Sequence, residues 1–256
     1  MTEYTDYPLW HDAFYRFVPI DDPDALCEQL ETLCREQALL GSILIASEGI
    51  NGMLAGSAEA LDALRRSLGK DPRFATMLYK RSPCQTMPFE RLKVKHKREI
   101  VALGVPQVDA CARSGVLLEP SAWQQLLGNP EVILIDNRNS FEVQLGRFRG
   151  AIDPGVDNFR DFASYAQDQL EHWRGKPVAM YCTGGIRCEK ASSWLMDLGL
   201  EVYQLEGGIL NYFASIPNAE RDFEGHCFVF DQRRLLDSHL QPVPEAQQLV
   251  DALEPE

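Results

Sequence analysis

The stretch from Val178 to Gly199 constrains the fold of this chain more than any other. Val178-Ala179-Met180-Tyr181 reads as a strand, and a helical pattern from about Cys188 to Leu198 is stopped by Gly199. Between them lies Cys182-Thr183-Gly184-Gly185-Ile186-Arg187. Open α/β sheets bind ligands at the carboxyl ends of their strands. The following helix aims free N–H groups and its positive dipole end at that place, which stabilises a thiolate. Gly184 and Gly185 let the backbone curl so that amides point inward, and Arg187 adds a fixed positive charge. The set suits a nucleophilic cysteine or a held persulfide anion. The plain alternative is a buried strand-end cysteine beside a glycine turn. Cys188 is either a resolving thiol for Cys182 or a packed small residue.

The spacing narrows the chemistry. Four residues separate Cys182 from Arg187, one fewer than the loop with which cysteine phosphatases surround a phosphoryl group. The shorter loop resembles that of rhodanese-type sulfurtransferases. Leu134-Ile135-Asp136-Asn137-Arg138, with Glu142, Gly146 and Gly150-Ala151-Ile152, resembles the signature after the first strand of that superfamily. Asp136 and Arg138 are expected near the loop, organising it by charge-assisted hydrogen bonds; ordinary strand-end polarity is the alternative. Gly207-Gly208 after the last strand also fits, whereas Gly146-Arg147-Phe148 stands where many rhodaneses have Gly-His-Ile.

The rest of the chain divides the fold. Strand signals at Ala13–Val18, Ser42–Ser47, Met53–Ala55 and Phe74–Lys80 alternate with a helix opened by Asp21-Asp22-Pro23 and one capped by Ser57 and Gly69. Asn51-Gly52 favours a tight hairpin between the second and third strands. The order β-α-β-β-α-β is that of the ferredoxin-like α+β unit, which hosts many functions. Downstream, Trp123, Leu126 and Leu127 mark a short helix, Val132–Ile135 a strand buried on both faces, Phe159–Trp173 a helix and Val202–Leu205 a last strand. The whole is an α/β chain: a ferredoxin-like domain over 1–105, a linker over 106–120, a rhodanese-like doubly wound parallel sheet over 121–220 and a C-terminal extension over 221–256.

Composition excludes several classes. No stretch approaches the roughly 18 apolar residues a membrane span needs, and Met1–Trp10 lacks the basic region of a signal peptide, so a cytoplasmic protein is expected. The seven cysteines are scattered without a CxxC pair, which supports neither a disulfide framework nor a zinc ribbon. Cys27 and Cys34 read as core fillers, and His96 and His226 as structural or RNA-contacting rather than metal-ligating. No metal site and no flavin fingerprint is identifiable. The net charge of −13 argues against a polyanionic partner, yet Lys80–Arg98 carries +6 against −19 elsewhere. On a strand, Arg91, Lys93, Lys95 and Lys97 line one face and Leu92 and Val94 the other. With Lys80, Arg81 and Arg98 they form a basic segment suited to RNA phosphates, and Tyr79 and Phe89 lie near enough in sequence to stack bases. A solvated edge strand guarded by lysines is the alternative.

Glu48-Gly49-Ile50-Asn51-Gly52, Phe89–Leu103, Tyr181–Ala191 and Gly225-His226-Cys227-Phe228-Val229-Phe230-Asp231 together resemble the bacterial tRNA uridine-34 hydroxylase family. The resemblance implies a ferredoxin-like domain joined to a rhodanese domain, the tRNA anticodon arm as partner, molecular oxygen as co-substrate and 5-hydroxylation of the wobble uridine. Some members carry a further cysteine-rich tail, absent from the sequence up to Glu256. A sulfurtransferase acting on a small-molecule sulfur donor is the other reading of the loop. An RNA-binding protein with an idle rhodanese domain is a third, disfavoured by the intact Cys182 and Arg187.

Overall fold

A computed structural model describes residues 8–106 and 108–253. The signal-peptide reading of the N-terminus therefore falls mostly outside the described residues. The chain divides into two compact units between Ile100 and Val101.

In the first unit, β1 (Leu9–Phe17), α1 (Pro23–Glu36), β2 (Leu40–Ala46), β3 (Gly49–Gly56), α2 (Ala58–Leu68), β4 (Tyr79–Cys84) and β5 (Leu92–His96) follow in order. The sheet order is β4-β1-β3-β2-β5, the ferredoxin-like arrangement with β5 added parallel to β2 at one edge. Leu26, Leu30 and Cys34 of α1 and Leu61, Leu64 and Leu68 of α2 pack with Phe14, Ile43, Ile45, Ile50 and Leu54 of the sheet. Cys34 is thus the core filler its spacing suggests, while Cys27 is only partly buried against that core. Ser57 caps α2 by accepting the Ala60 N–H at 3.2 Å. Asp22 stands at the N-cap of α1, but its side chain pairs with Arg73 rather than with the helix.

Two sequence expectations change here. The β2–β3 turn is Ser47-Glu48, and Asn51-Gly52 lies inside β3. The reason is packing: a Cβ at Gly52 would sit 2.3 Å from Cζ of Phe14, so this position needs a missing side chain under the Phe14 ring, not a turn. Asn51 donates its side-chain amide to the Ile100 carbonyl at 3.1 Å. The strand expected from Phe74 begins at Tyr79 instead; Phe74 is buried in the core from a run of turns.

The second unit contains β6 (Val116–Leu118), α3 (Pro120–Leu127), β7 (Ile133–Asp136), α4 (Ser140–Leu145), β8 (Gly146–Phe148), α5 (Phe162–Trp173), β9 (Val178–Tyr181), α6 (Ile186–Asp197), β10 (Val202–Leu205), α7 (Gly208–Ser215), β11 (Phe223–Gly225), β12 (Cys227–Phe228), β13 (Leu235–Leu236) and α8 (Gln247–Leu253). Its central sheet, β6-β10-β9-β7, is parallel throughout. Phe162, Ala166 and Trp173 of α5 and Cys188, Ala191 and Leu195 of α6 cover one face. Trp123 of α3 and Ile209, Tyr212 and Phe213 of α7 cover the other. This is the doubly wound arrangement. The stretch read as a linker differs from expectation: β6 joins the sheet edge and Val108 packs on the core. Residues 101–105, read as the end of the first domain, also belong to this unit, with Leu103 fully buried beside Val101 and Val105. The residues after 220 also belong to this unit, for β11 pairs with β8 and Val250 of α8 packs on Phe141 and Leu145 of α4. Among the described residues no helix is long and apolar enough to cross a membrane.

Candidate active site

The site is assembled where β7 and β9 end. These two strands are side by side, with Asp136 opposite Tyr181. Every residue of both is buried, as parallel strands covered by helices on both faces require. The chain leaves β9 at Cys182 and re-enters order at Ile186, so α6 starts two residues earlier than its apolar pattern suggests. Arg187 and Cys188 therefore both lie in its first turn. Gly185 adopts φ +103°, open to glycine at little cost. That conformation turns its N–H onto Cys182 Sγ at 3.1 Å.

A second helix holds the loop from behind. The Cys182 carbonyl accepts the Ile209 N–H at 3.0 Å, and the Thr183 carbonyl accepts that of Leu210 at 3.2 Å. The backbones approach so closely that a Cβ at Gly208 would meet the Cys182 oxygen at 2.4 Å. Gly208 is needed for that approach.

Cys182 is 1% exposed. Burial pushes its thiol up, but the Cys188 thiol, the Arg187 charge and the N–H groups of Gly185 and Cys188 outweigh this and hold it well below the ordinary thiol range. Cys188 moves the other way. Burial and its contact with the Cys182 sulfur raise it, so it stays a protonated donor. Cys227 is also buried, and burial pushes its thiol up to about 12. Of these three buried thiols, Cys182 is the one poised as an anion.

Arg187 is held by a residue whose importance the spacing does not reveal. Its Nη1 donates to Glu142 Oε2 at 2.6 Å and its Nη2 to Oε1 at 2.9 Å. Burial would raise the Glu142 carboxyl, but the Arg187 charge keeps it below the usual carboxylate range. Glu142 also accepts the Asn139 N–H at 3.0 Å, which closes the first turn of α4. The carboxylate therefore fixes the guanidinium and is itself fixed by a helix N-terminus. Its place within the Asp136–Gly146 signature is the one signal that points to it. Thr183 Oγ1 lies 3.5 Å from both Glu142 and Arg187, and Ile186 is half-buried at the first position of α6.

Asp136 and Arg138 form a second, fully buried pair at 2.6 and 2.8 Å. Arg138 also donates to the Gly146 carbonyl at 2.5 Å. Burial works against its charge, but Asp136 keeps it firmly protonated. Tyr181, the residue before Cys182, donates its hydroxyl to Asp136 and accepts the Phe148 N–H at 3.1 Å. The pair thus ties β7, β8 and β9 together at the strand ends that lead into the loop.

The basic segment is not one surface. Lys80 and Arg81 are on β4 and Arg91–Lys97 runs along β5, at opposite edges of a five-stranded sheet. At about 4.8 Å per strand these edges are roughly 19 Å apart. Arg81 is turned inward, bound to Asp12 at 2.9 Å and Asp62 at 2.8 Å. Lys80 is half-buried. On β5 the expected alternation holds: Arg91, Lys93, Lys95 and Lys97 are exposed, with Arg98 beside them, while Leu92 and Val94 pack on the core. The aromatic pair is committed elsewhere. Tyr79 packs on Phe14 at 5.2 Å with Arg65 over its ring, and Phe89 lies tilted against His11 at 5.7 Å. His96 pairs with Asp24 at 2.8 Å.

A parallel doubly wound sheet with a short cysteine loop of this build defines a rhodanese-type domain. Residues 119–215 match the Rhodanese-like domain family, and residues 11–100 match the UPF0176 acylphosphatase like domain. Over 229 residues the chain is 51% identical to a tRNA uridine(34) hydroxylase of Synechococcus elongatus, covering 89% of this chain and 85% of the relative. A Nitrobacter winogradskyi protein of the same name is 46% identical over 93% of this chain and 96% of its own length. One from Legionella pneumophila is 44% identical over 90% and 91%. The chain belongs to the tRNA uridine(34) hydroxylase family.

Proposed function

We propose that this chain hydroxylates uridine 34 of tRNA at C5, with Cys182 as the group that attacks the base. The observation that carries the reading is the loop itself. Its sulfur is held as an anion by a helix N-terminus and by a guanidinium that Glu142 fixes in place. Uracil is an electrophile at C6. Addition of the Cys182 thiolate there forms an Sγ–C6 bond and moves the C5–C6 electron pair onto C5 and O4. C5 then becomes the nucleophilic carbon that must gain oxygen, and loss of its proton expels the thiolate. Molecular oxygen is the co-substrate under this reading: one atom goes to C5, and the other leaves as water, taking two electrons and two protons from an external reductant of the thiol class. Glu142 keeps Arg187 oriented, and Asp136 and Arg138 position the strand end.

The anticodon arm is the proposed RNA element, with the exposed cations of β5 on its phosphates. Each neutralised phosphate releases counterions, so binding should weaken steeply with salt. The same loop geometry would hold a persulfide, and a small-molecule sulfur donor is the substrate of that second reading. Mass spectrometry of tRNA nucleosides separates the two. A strain lacking its own enzyme should regain 5-hydroxyuridine derivatives when this gene is supplied. Unchanged nucleosides together with thiosulfate sulfurtransferase activity of the purified chain would favour the second reading.

A further inference from the structure

Among the described residues Phe230 is the only exposed phenylalanine, tyrosine or tryptophan ring, at 51%. It stands beside the Cys182 loop, with Arg187 Cζ 6.0 Å from its centroid. Since the Arg187 charge is already taken up by Glu142 and the distance is at the limit for a cation–π contact, the ring is not there chiefly to bind the guanidinium. Its support is rigid. The ring meets Phe228 edge-on at 5.0 Å, and Phe228 is 1% exposed, set against Phe141 at 5.0 Å and Arg234 at 5.7 Å. Immediately after it, Asp231 accepts the Arg233 N–H at 2.9 Å and is gripped by the Arg233 guanidinium at 2.9 and 2.6 Å. Val229 closes the turn by donating to the Arg234 carbonyl at 2.8 Å. The chain on both sides is fixed while the ring itself is left open to solvent.

We infer that Phe230 is the stacking platform for the pyrimidine that reacts at Cys182. The inference rests on the uridine reading above. Proteins that act on single-stranded RNA splay out a base and stack it on an aromatic side chain, and a ring beside Arg187 offers such a face at the thiolate's own site. The expectation of stacking residues in the first unit, at Tyr79 and Phe89, is thereby replaced by one in the second.

The test uses the full chain and an anticodon stem-loop RNA carrying 5-iodouridine at position 34. Irradiation should join this base to the peptide containing Phe230, as read by mass spectrometry. Phe230→Ala and Phe230→Leu should each weaken stem-loop binding by about tenfold, and Phe230→Trp should restore it, because the flat π-face and not apolar bulk is required. The rate at which iodoacetamide alkylates Cys182 as a function of pH should be the same in all four proteins. A cross-link elsewhere, wild-type binding by Phe230→Leu, or an altered Cys182 profile in Phe230→Ala would overturn the assignment. A wild-type chain that forms 5-hydroxyuridine but cross-links elsewhere defeats the stacking inference alone. One that cross-links at Phe230 without forming 5-hydroxyuridine defeats the hydroxylase reading alone.

Discussion

The loop after β9 and the edge strand β5 are both built around positive charge, and they use it in opposite ways. At the loop, Arg187 is 8% exposed and every part of its charge is spent on Glu142 and the neighbouring sulfur. Along β5, Arg91, Lys93, Lys95 and Lys97 stand in solvent, with Leu92 and Val94 alone tied to the core. A buried charge must be paired where it stands, so its loss is felt by the fold and by the thiol. An exposed charge costs the fold little and is free to meet a mobile polyanion. Under the proposed function, the difference separates a group that tunes chemistry from groups that bring a substrate near.

The largest expected effect breaks the pair at the loop. Glu142→Ala leaves the Arg187 charge buried and alone, which should cost about 3–5 kcal/mol in urea unfolding. The double variant Glu142→Leu, Arg187→Met should recover most of that stability while remaining inactive on tRNA. Equal instability of the single and double variants would mean that the pair is not what the loop depends on.

A smaller loss is expected in the first unit. Asp12 is 1% exposed and bound by both Arg65 and Arg81, at 2.7 and 2.9 Å. Asp12→Ala should cost about 1–3 kcal/mol, because both arginines are partly open to water and can be resolvated. Its effect on tRNA affinity should follow its effect on folding.

The thiol gives a pH test whose sign is fixed. Cys182 is depressed in the folded chain relative to the ordinary value of 9.0. The folded state therefore loses its proton first. The stability this contributes is fully present above the unfolded value and fades as the pH falls through the folded one. The stability of wild type relative to Cys182→Ser should grow as the pH rises from neutral towards 9.0. Arg187→Met should flatten that growth and shift the ultraviolet thiolate absorbance of Cys182 to higher pH. A difference between wild type and Cys182→Ser that does not vary with pH contradicts the depressed thiol.

The smallest effect on the fold belongs to β5. Lys93→Glu with Lys95→Glu should change unfolding free energy by no more than about 0.5 kcal/mol per substitution. In a filter-binding titration it should weaken tRNA binding and reduce the slope of log affinity against log salt by about 1 for each phosphate no longer neutralised. An unchanged slope would return β5 to the role of a solvated edge guarded by lysines.

Structure is legible in the sequence where the local chain decides the outcome. Cys182, the two glycines and Arg187 fall within six residues, and the strand and turn follow from that order, although the helix starts at Ile186 rather than near Cys188. The alternation on β5 is equally local. What stays hidden depends on partners distant in the chain. Glu142 meets Arg187 from 45 positions away, and no spacing rule carries that distance. Asn51-Gly52 has the composition of a turn, but the Phe14 ring above Gly52 claims it for a strand. Arg81 and Tyr79 read as RNA ligands because they sit in a basic run, yet Asp12 and Phe14, far back in the chain, hold them. The three residues of β6 are too few to stand out from a segment with the composition of a linker.

The central claim is that the Cys182 sulfur carries the reaction on the base. It is tested most directly by nucleoside mass spectrometry of tRNA from a strain lacking its own enzyme, supplied with either wild-type or Cys182→Ser protein at equal abundance. Wild type should restore 5-hydroxyuridine derivatives and Cys182→Ser should leave them at background. Full modification by Cys182→Ser would contradict the account.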